Sequence, residues 1–213
     1  MSETLSEREL ETLPAMGPRP RLGVVLAAGR SERLNRVSGG GSKALVRVGG
    51  LPLVERAVRL LLASGLEKVL VVVGHDAGPV AAVVNRLAPG RAQALYADRW
   101  ELGNGASLSA VEHHVADENL FVLLTADHVF GEGALDELLV VGEPAVLVDE
   151  APGAKEWAEG TRVRVVDGRA IAFGKDLDDA RGNPVDDPPR RLDQLPVIRD
   201  PVPPQFRYYP AAF

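Results

Sequence analysis

From Leu22 to Val148 the chain alternates short apolar runs with stretches whose apolar residues recur at helical spacing. The runs Leu22 to Ala28, Val69 to Val73, Ala92 to Ala97, Leu120 to Thr125 and Ala145 to Val148 read as strands. Between them, Leu53 to Ser64, Val80 to Leu87, Ser107 to Val115 and Ala134 to Val140 read as helices. The first of these carries apolar residues at 53, 54, 57, 58, 60, 61 and 62 and is closed by Gly65. A strand that is apolar on both faces needs cover on both sides, as parallel strands have. Strand and helix alternating over such a length imply an α/β fold, a mostly parallel sheet with helices on both faces. In such sheets ligands sit beyond the C-terminal strand ends. Chemistry is therefore expected around Gly29, Gly74, Asp98 and Asp127.

The turn after the first strand is the most specific of these places. The apolar run breaks at Gly29, passes through Arg30, Ser31, Glu32 and Arg33, and reaches Lys43 after three successive glycines. A small-residue turn exposes backbone N–H groups that can hold an anion, and nearby cations strengthen the grip. A dinucleotide fingerprint requires G-x-G-x-x-G, of which only Gly29 is present. A Walker loop requires G-K-[ST], whereas Lys43 lies between Ser42 and Ala44. The stretch does resemble the signature loop of nucleotidyltransferases, L-A-A-G-x-[GS]-x-R-[LM] followed by a lysine and G-x-P-L. Here these are Leu26, Ala27, Ala28, Gly29, Arg30, Ser31, Glu32, Arg33 and Leu34, then Lys43, then Gly50-Leu51-Pro52-Leu53.

Composition removes several other classes. The chain has 213 residues, 46% of them hydrophobic and 25% charged, enough for one domain with a core. A net charge of −6 argues against a general nucleic-acid binder. The absence of cysteine excludes a disulfide framework, a thiolate metal site and a thiol nucleophile, which suits a cytoplasmic protein. No run approaches 18 apolar residues, so no membrane segment is expected, and the acidic N-terminus does not read as a signal peptide. Residues 1–20 read as a flexible leader with a short helix over Leu5 to Leu13, and 21–180 as the nucleotidyltransferase domain. A small hairpin, Thr161 to Val166 with Ala170 to Phe173 around Asp167-Gly168, follows the core. Eight of the 16 prolines fall in 181–213, which reads as an atypical, irregular tail.

At the remaining strand ends, Asp127 in FVLLTADHVF is suited to hold Mg²⁺, which takes one or two carboxylates together with water and substrate phosphates. The loop DRWELGNGAS offers Asn104, Gly105 and Ser107 for the nucleotide base, with Trp100 packing inside. His75, His113, His114 and His128 form no common site, and His75 and His128 read as turn residues. An acceptor bearing its own phosphate, with a second pKa of about 6, needs no base to attack a triphosphate. Positioning and charge neutralisation then suffice. In this reading the backbone of Ala28 to Arg30, with Arg33, holds the β- and γ-phosphates. Lys43 neutralises charge near the α-phosphate, Asp127 carries the metal, and Lys175 holds the acceptor phosphate.

The combination LAAGRSERL, SKALVRVGGLPLVERAV, WELGNGASL, LLTADHVF and AIAFGKDL resembles the inositol-1-phosphate cytidylyltransferase branch of the sugar-phosphate nucleotidyltransferases. The resemblance covers Leu22 to Leu177 and implies a Rossmann-like nucleotidyltransferase fold, Mg²⁺ dependence and cytosine recognition near Asn104 to Ser107. It further implies CTP and inositol 1-phosphate as substrates, with CDP-inositol and pyrophosphate as products. Another phosphorylated acceptor, a hexose 1-phosphate or phosphocholine, is the near alternative. After Lys175 the family carries a D-T-G-[VF]-like strand whose aspartate completes the metal site. This chain instead reads RGNPVDDPPRRLDQLPVIRDPVPPQF, which a truncated, spliced or frame-altered C-terminus would explain. A nucleotide-binding module without turnover therefore stays open as a second class.

Overall fold

Strand β1 (Leu22–Ala27) is buried along its whole length, as its unbroken apolar sequence requires. It lies at the centre of a four-stranded sheet, flanked by β4 (Lys68–Val73) and β6 (Phe121–Thr125), with β5 (Ala92–Tyr96) outside β4. All three pairings are parallel: Leu22 is opposite Lys68 on one side and Phe121 on the other. The structure is a computed structural model, and it describes residues 18–30, 41–130, 133, 135–148, 160–167, 169–174, 177 and 195–199. The expected leader helix lies outside the described residues.

Successive side chains of a strand point to opposite faces, and β1 feeds a different core with each set. Val25 and Ala27 join α1 (Leu53–Ala63), α2 (Ala77–Leu87) and Leu139 of α5 (Asp136–Val140) on one face. Leu22, Val24 and Leu26 meet Trp100 and Val111 on the other. Helices thus cover both faces, as the alternating pattern requires. Gly23 lets α1 approach, since a Cβ there would lie 2.9 Å from the Leu61 side chain. Before α1, Gly49 and Gly50, with φ of 57° and 81°, turn a two-residue ribbon of β2 (Arg47–Val48) against β3 (Leu51–Pro52). Positive φ at both central positions is what a type I′ turn demands.

Three readings need correction. The helix expected over Ser107 to Val115 is broken into α3 (Asn104–Leu108), a 3-10 turn (Ser109–Val111) and α4 (Glu112–Val115). It starts three residues early because Gly103, at φ 105°, turns the chain where side chains rarely go. Strand β7 (Val146–Val148) does not extend the parallel sheet but joins a second one, ordered β7-β10-β9-β8. Its neighbour β10 (Leu195–Arg199) comes from the proline-rich stretch read as irregular. Only two of its registered pairs face the antiparallel partner β9 (Arg169–Gly174), which places Pro196 opposite Arg169 at the end of the pairing, where a missing N–H is tolerated. The expected hairpin is present as β8 (Arg162–Val166) with β9, turned by Asp167 at φ 50°. Among the described residues, no helix is long and apolar enough to cross a membrane.

Candidate active site

Because β4 lies on one side of β1 and β6 on the other, the chain reverses its direction of winding at β1. A crevice forms at such a switch point, beyond the strand ends. Ala28, Gly29 and Arg30 leave β1 there, and Ala126 and Asp127 leave β6 beside them. The pairing continues past the strands: the Ala126 N–H donates to the Leu26 carbonyl (2.9 Å) and the His75 N–H to the Ala28 carbonyl (2.9 Å). Leu26 and Ala27 are therefore sheet residues that position the turn, while Gly29 and Arg30 are exposed at its tip. A Cβ on Gly29 would meet nothing within 4 Å, so space in front of this turn is open.

Lys43 reaches the same place from a separate loop. A 3-10 turn (Lys43–Leu45) is capped by Ser42, whose buried hydroxyl accepts the Ala44 N–H. The Ser42 N–H donates to Asp76 Oδ2 (3.2 Å), and Asp76 stands in the left-handed region (φ 58°) just before α2. The loop is thus anchored to the end of β4. From it, Lys43 Nζ extends to Asp127 Oδ2 at 2.8 Å, with the two side chains 30% and 36% exposed. The two charges joined only by the signature reading, 84 positions apart, are in contact.

The other oxygen of Asp127 is held from inside. Thr125 Oγ1 donates to Oδ1 (2.6 Å), and His128 Nδ1 lies 2.9 Å from the same oxygen. Thr125 Oγ1 and His128 Nδ1 are also hydrogen-bonded to each other, and His128 is buried. Burial opposes ionisation of Asp127, but it is outweighed by the hydrogen bond and attraction of His128 and by the Lys43 and Thr125 hydrogen bonds. The carboxyl is held well below the usual carboxylate range, so Asp127 is an anion at neutral pH. The sequence reads His128 as a hydrogen-bonded turn residue; its place directly after Asp127 at a strand end is the only signal that its partner is that carboxylate.

On the far side of the turn, Trp100 lies against Gly74, where a Cβ would fall 2.3 Å from the indole. Its ring meets His75 (5.8 Å between centroids), and the Arg30 guanidinium sits 5.2 Å above it, a cation–π distance. Trp100 packs, as expected. Asn104 and Gly105 are exposed in the first turn of α3, but Ser107 is buried and its hydroxyl donates to the Gly103 carbonyl (3.1 Å). That hydroxyl is engaged at the start of its own helix. Arg33 and Lys175 lie outside the described residues.

Among the described residues no three His, Asp, Glu or Cys side chains gather around a point. That fits Mg²⁺ no worse than a cage would, because Mg²⁺ is held by one or two carboxylates and completes its octahedron with water and phosphate oxygens. Asp127, ionised and a third exposed, suits that ion.

A parallel sheet with an open glycine turn and a lysine–aspartate pair at its switch point agrees with the nucleotidyltransferase class that the loop after β1 resembles. More narrowly, the chain belongs to the MobA-like NTP transferase domain family, which it matches over residues 23–167. That family generally works with a divalent metal. The bifunctional IPC transferase and DIPP synthase of Rubrobacter xylanophilus is 39% identical over 156 residues, covering 72% of this chain and 34% of that protein. The protein of the same name from Archaeoglobus fulgidus is 36% identical over 154 residues, covering 72% and 29%. The chain therefore spans about a third of the length of these relatives. Among solved structures, the inositol-1-phosphate CTP transferase from T. maritima shares the fold with a TM-score of 0.68 at 24% identity, covering 76% of this chain and 67% of that one.

Proposed function

We propose that this chain transfers CMP from CTP to inositol 1-phosphate, yielding CDP-inositol and pyrophosphate, in the cytoplasm, with residues 21–180 as the catalytic domain. The observation that carries the reading is the Lys43–Asp127 contact of 2.8 Å beside the open turn at Gly29. The choice of nucleotide and acceptor rests on the IPC transferases among the relatives.

The acceptor's phosphate oxygen attacks the α-phosphorus of CTP, and the bond from that phosphorus to the β-phosphate bridging oxygen breaks. The backbone N–H groups from Ala28 to Arg30, with Arg33, hold the β- and γ-phosphates. Lys43 turns from Asp127 towards the α-phosphate, where negative charge accumulates as the new bond forms. Asn104 and Gly105 read the cytosine edge, and Lys175 holds the acceptor phosphate. Asp127 holds Mg²⁺, which when bound neutralises and orients the triphosphate.

The test is pyrophosphate release from each of four nucleoside triphosphates with inositol 1-phosphate, glucose 1-phosphate or phosphocholine. Release is expected to be fastest with CTP and inositol 1-phosphate. Asp127→Asn and Lys43→Met should each lower kcat by about 10²–10³-fold while the far-ultraviolet circular dichroism is unchanged. A faster rate with another pair would replace the substrate assignment. CTP binding by calorimetry without release from any acceptor would leave a nucleotide-binding module.

A further inference from the structure

We propose that His128, together with Thr125, is a positioning residue that fixes the Asp127 carboxylate, tying down one oxygen so that the other faces the reacting phosphates. The inference rests on the reading of Asp127 as the metal carboxylate and adds two residues that act through it. The two oxygens of Asp127 are treated differently by the fold. Oδ1 receives the Thr125 hydroxyl at 2.6 Å and lies 2.9 Å from His128 Nδ1, whereas Oδ2 meets Lys43 Nζ at 2.8 Å. The side chains on Oδ1 are buried, Thr125 at 8% exposure and His128 at 6%, and Thr125 is the last residue of β6. Their own freedom is therefore already removed by burial. Lys43, by contrast, stands at the end of a flexible, partly exposed side chain and can leave Oδ2 for a phosphate.

The hydrogen atoms in this cluster follow from valence. The Thr125 hydroxyl proton points at Asp127 Oδ1, so the Thr125 oxygen is the acceptor towards His128, and the ring must carry its proton on Nδ1. With Nδ1–H, both Thr125 Oγ1 and Asp127 Oδ1 face a donor; with a bare Nδ1, three lone-pair-bearing atoms would crowd together. A carboxylate free to spin about χ2 would present either oxygen, or neither, to an ion that takes a single carboxylate oxygen at octahedral geometry. Partners that orient a ligating side chain from behind typically contribute 10- to 100-fold to metal affinity or activity.

The test compares His128→Leu, His128→Asn, Thr125→Val and Asp127→Asn in the full chain. An asparagine amide nitrogen can take the place of Nδ1–H, so His128→Asn keeps the donor. The readout is the Mn²⁺ dissociation constant, from electron paramagnetic resonance of free Mn²⁺ with CTP present and no acceptor, alongside thermal melting. Asp127→Asn must weaken Mn²⁺ binding; if it does not, Asp127 is not the metal carboxylate and the underlying reading fails. Given that loss, the expected result is about a 10-fold or greater weakening in His128→Leu and Thr125→Val, with His128→Asn within about threefold of the parent. Parental affinity in both His128→Leu and Thr125→Val would overturn the proposal, as would equal weakening in His128→Asn and His128→Leu. If His128→Leu does not fold, Thr125→Val decides alone, parental affinity again counting against it.

Discussion

Two glycines show how differently one added methyl group is received. At Gly74 a Cβ would stand 2.3 Å from Trp100 Cγ and 2.7 Å from its Cβ, atoms near the root of a buried, rigid side chain. At Gly23 it would meet the tips of Leu61 and Leu66 at 2.9 and 3.0 Å, which can swing aside. Gly74→Ala should therefore cost about 1–3 kcal/mol in urea unfolding, and more than Gly23→Ala. Equal costs would mean that Trp100 moves as freely as a leucine tip. Gly74→Ala should also raise the KM for the nucleotide, because Trp100 underlies Arg30 and the turn at Gly29. At this scale the sequence was legible where a residue type announces its use. Lys43 and Asp127 are both legible in it, because the signature loop and the strand-end position point to them. His128 is not, since its role depends on a hydroxyl three residues back that only the curl of the chain after β6 brings to its ring.

Among the elements, α1 and the ribbon before it form one unit. Its residues Val54, Val58 and Leu61 are fully buried, and Arg56 reaches back so that its Nε donates to the Val48 carbonyl at 2.7 Å. The helix thus clamps the ribbon whose loop carries Lys43 at its other end. Leu61→Ala, which opens a cavity beneath Gly23, should lower stability by about 2–5 kcal/mol in chemical denaturation. A loss below 1 kcal/mol would show that α1 collapses into the gap. The helix was read from its spacing to within a residue at each end, because burial of one face is written directly into a period of 3.6. The break between α3 and α4 was not, because the same apolar spacing serves a 3-10 turn as well as an α-turn over so few residues.

Across the whole molecule, the two sheets differ in how they are closed. The parallel sheet buries its own apolar faces between helices drawn from neighbouring sequence. The second sheet depends on β10, which bridges β7 and β9 from far along the chain. Ending the chain after residue 180 should leave the parallel sheet folded while the amides of Val146–Val148 exchange faster with solvent, as seen by hydrogen-exchange mass spectrometry. Unchanged protection of that strand would show that β10 does not hold it. The α/β class, the parallel core and the open glycine turn after β1 were determined by the sequence alone, because each follows from local pattern: continuous apolar runs, helical spacing, a glycine between a buried strand and basic residues. The partner of β7, the strand at Leu195–Arg199 and the Thr125–Asp127–His128 cluster were decided by tertiary structure. Pairing across long separations is chosen by which edges and side chains meet once the core has closed, and no window of residues contains that information.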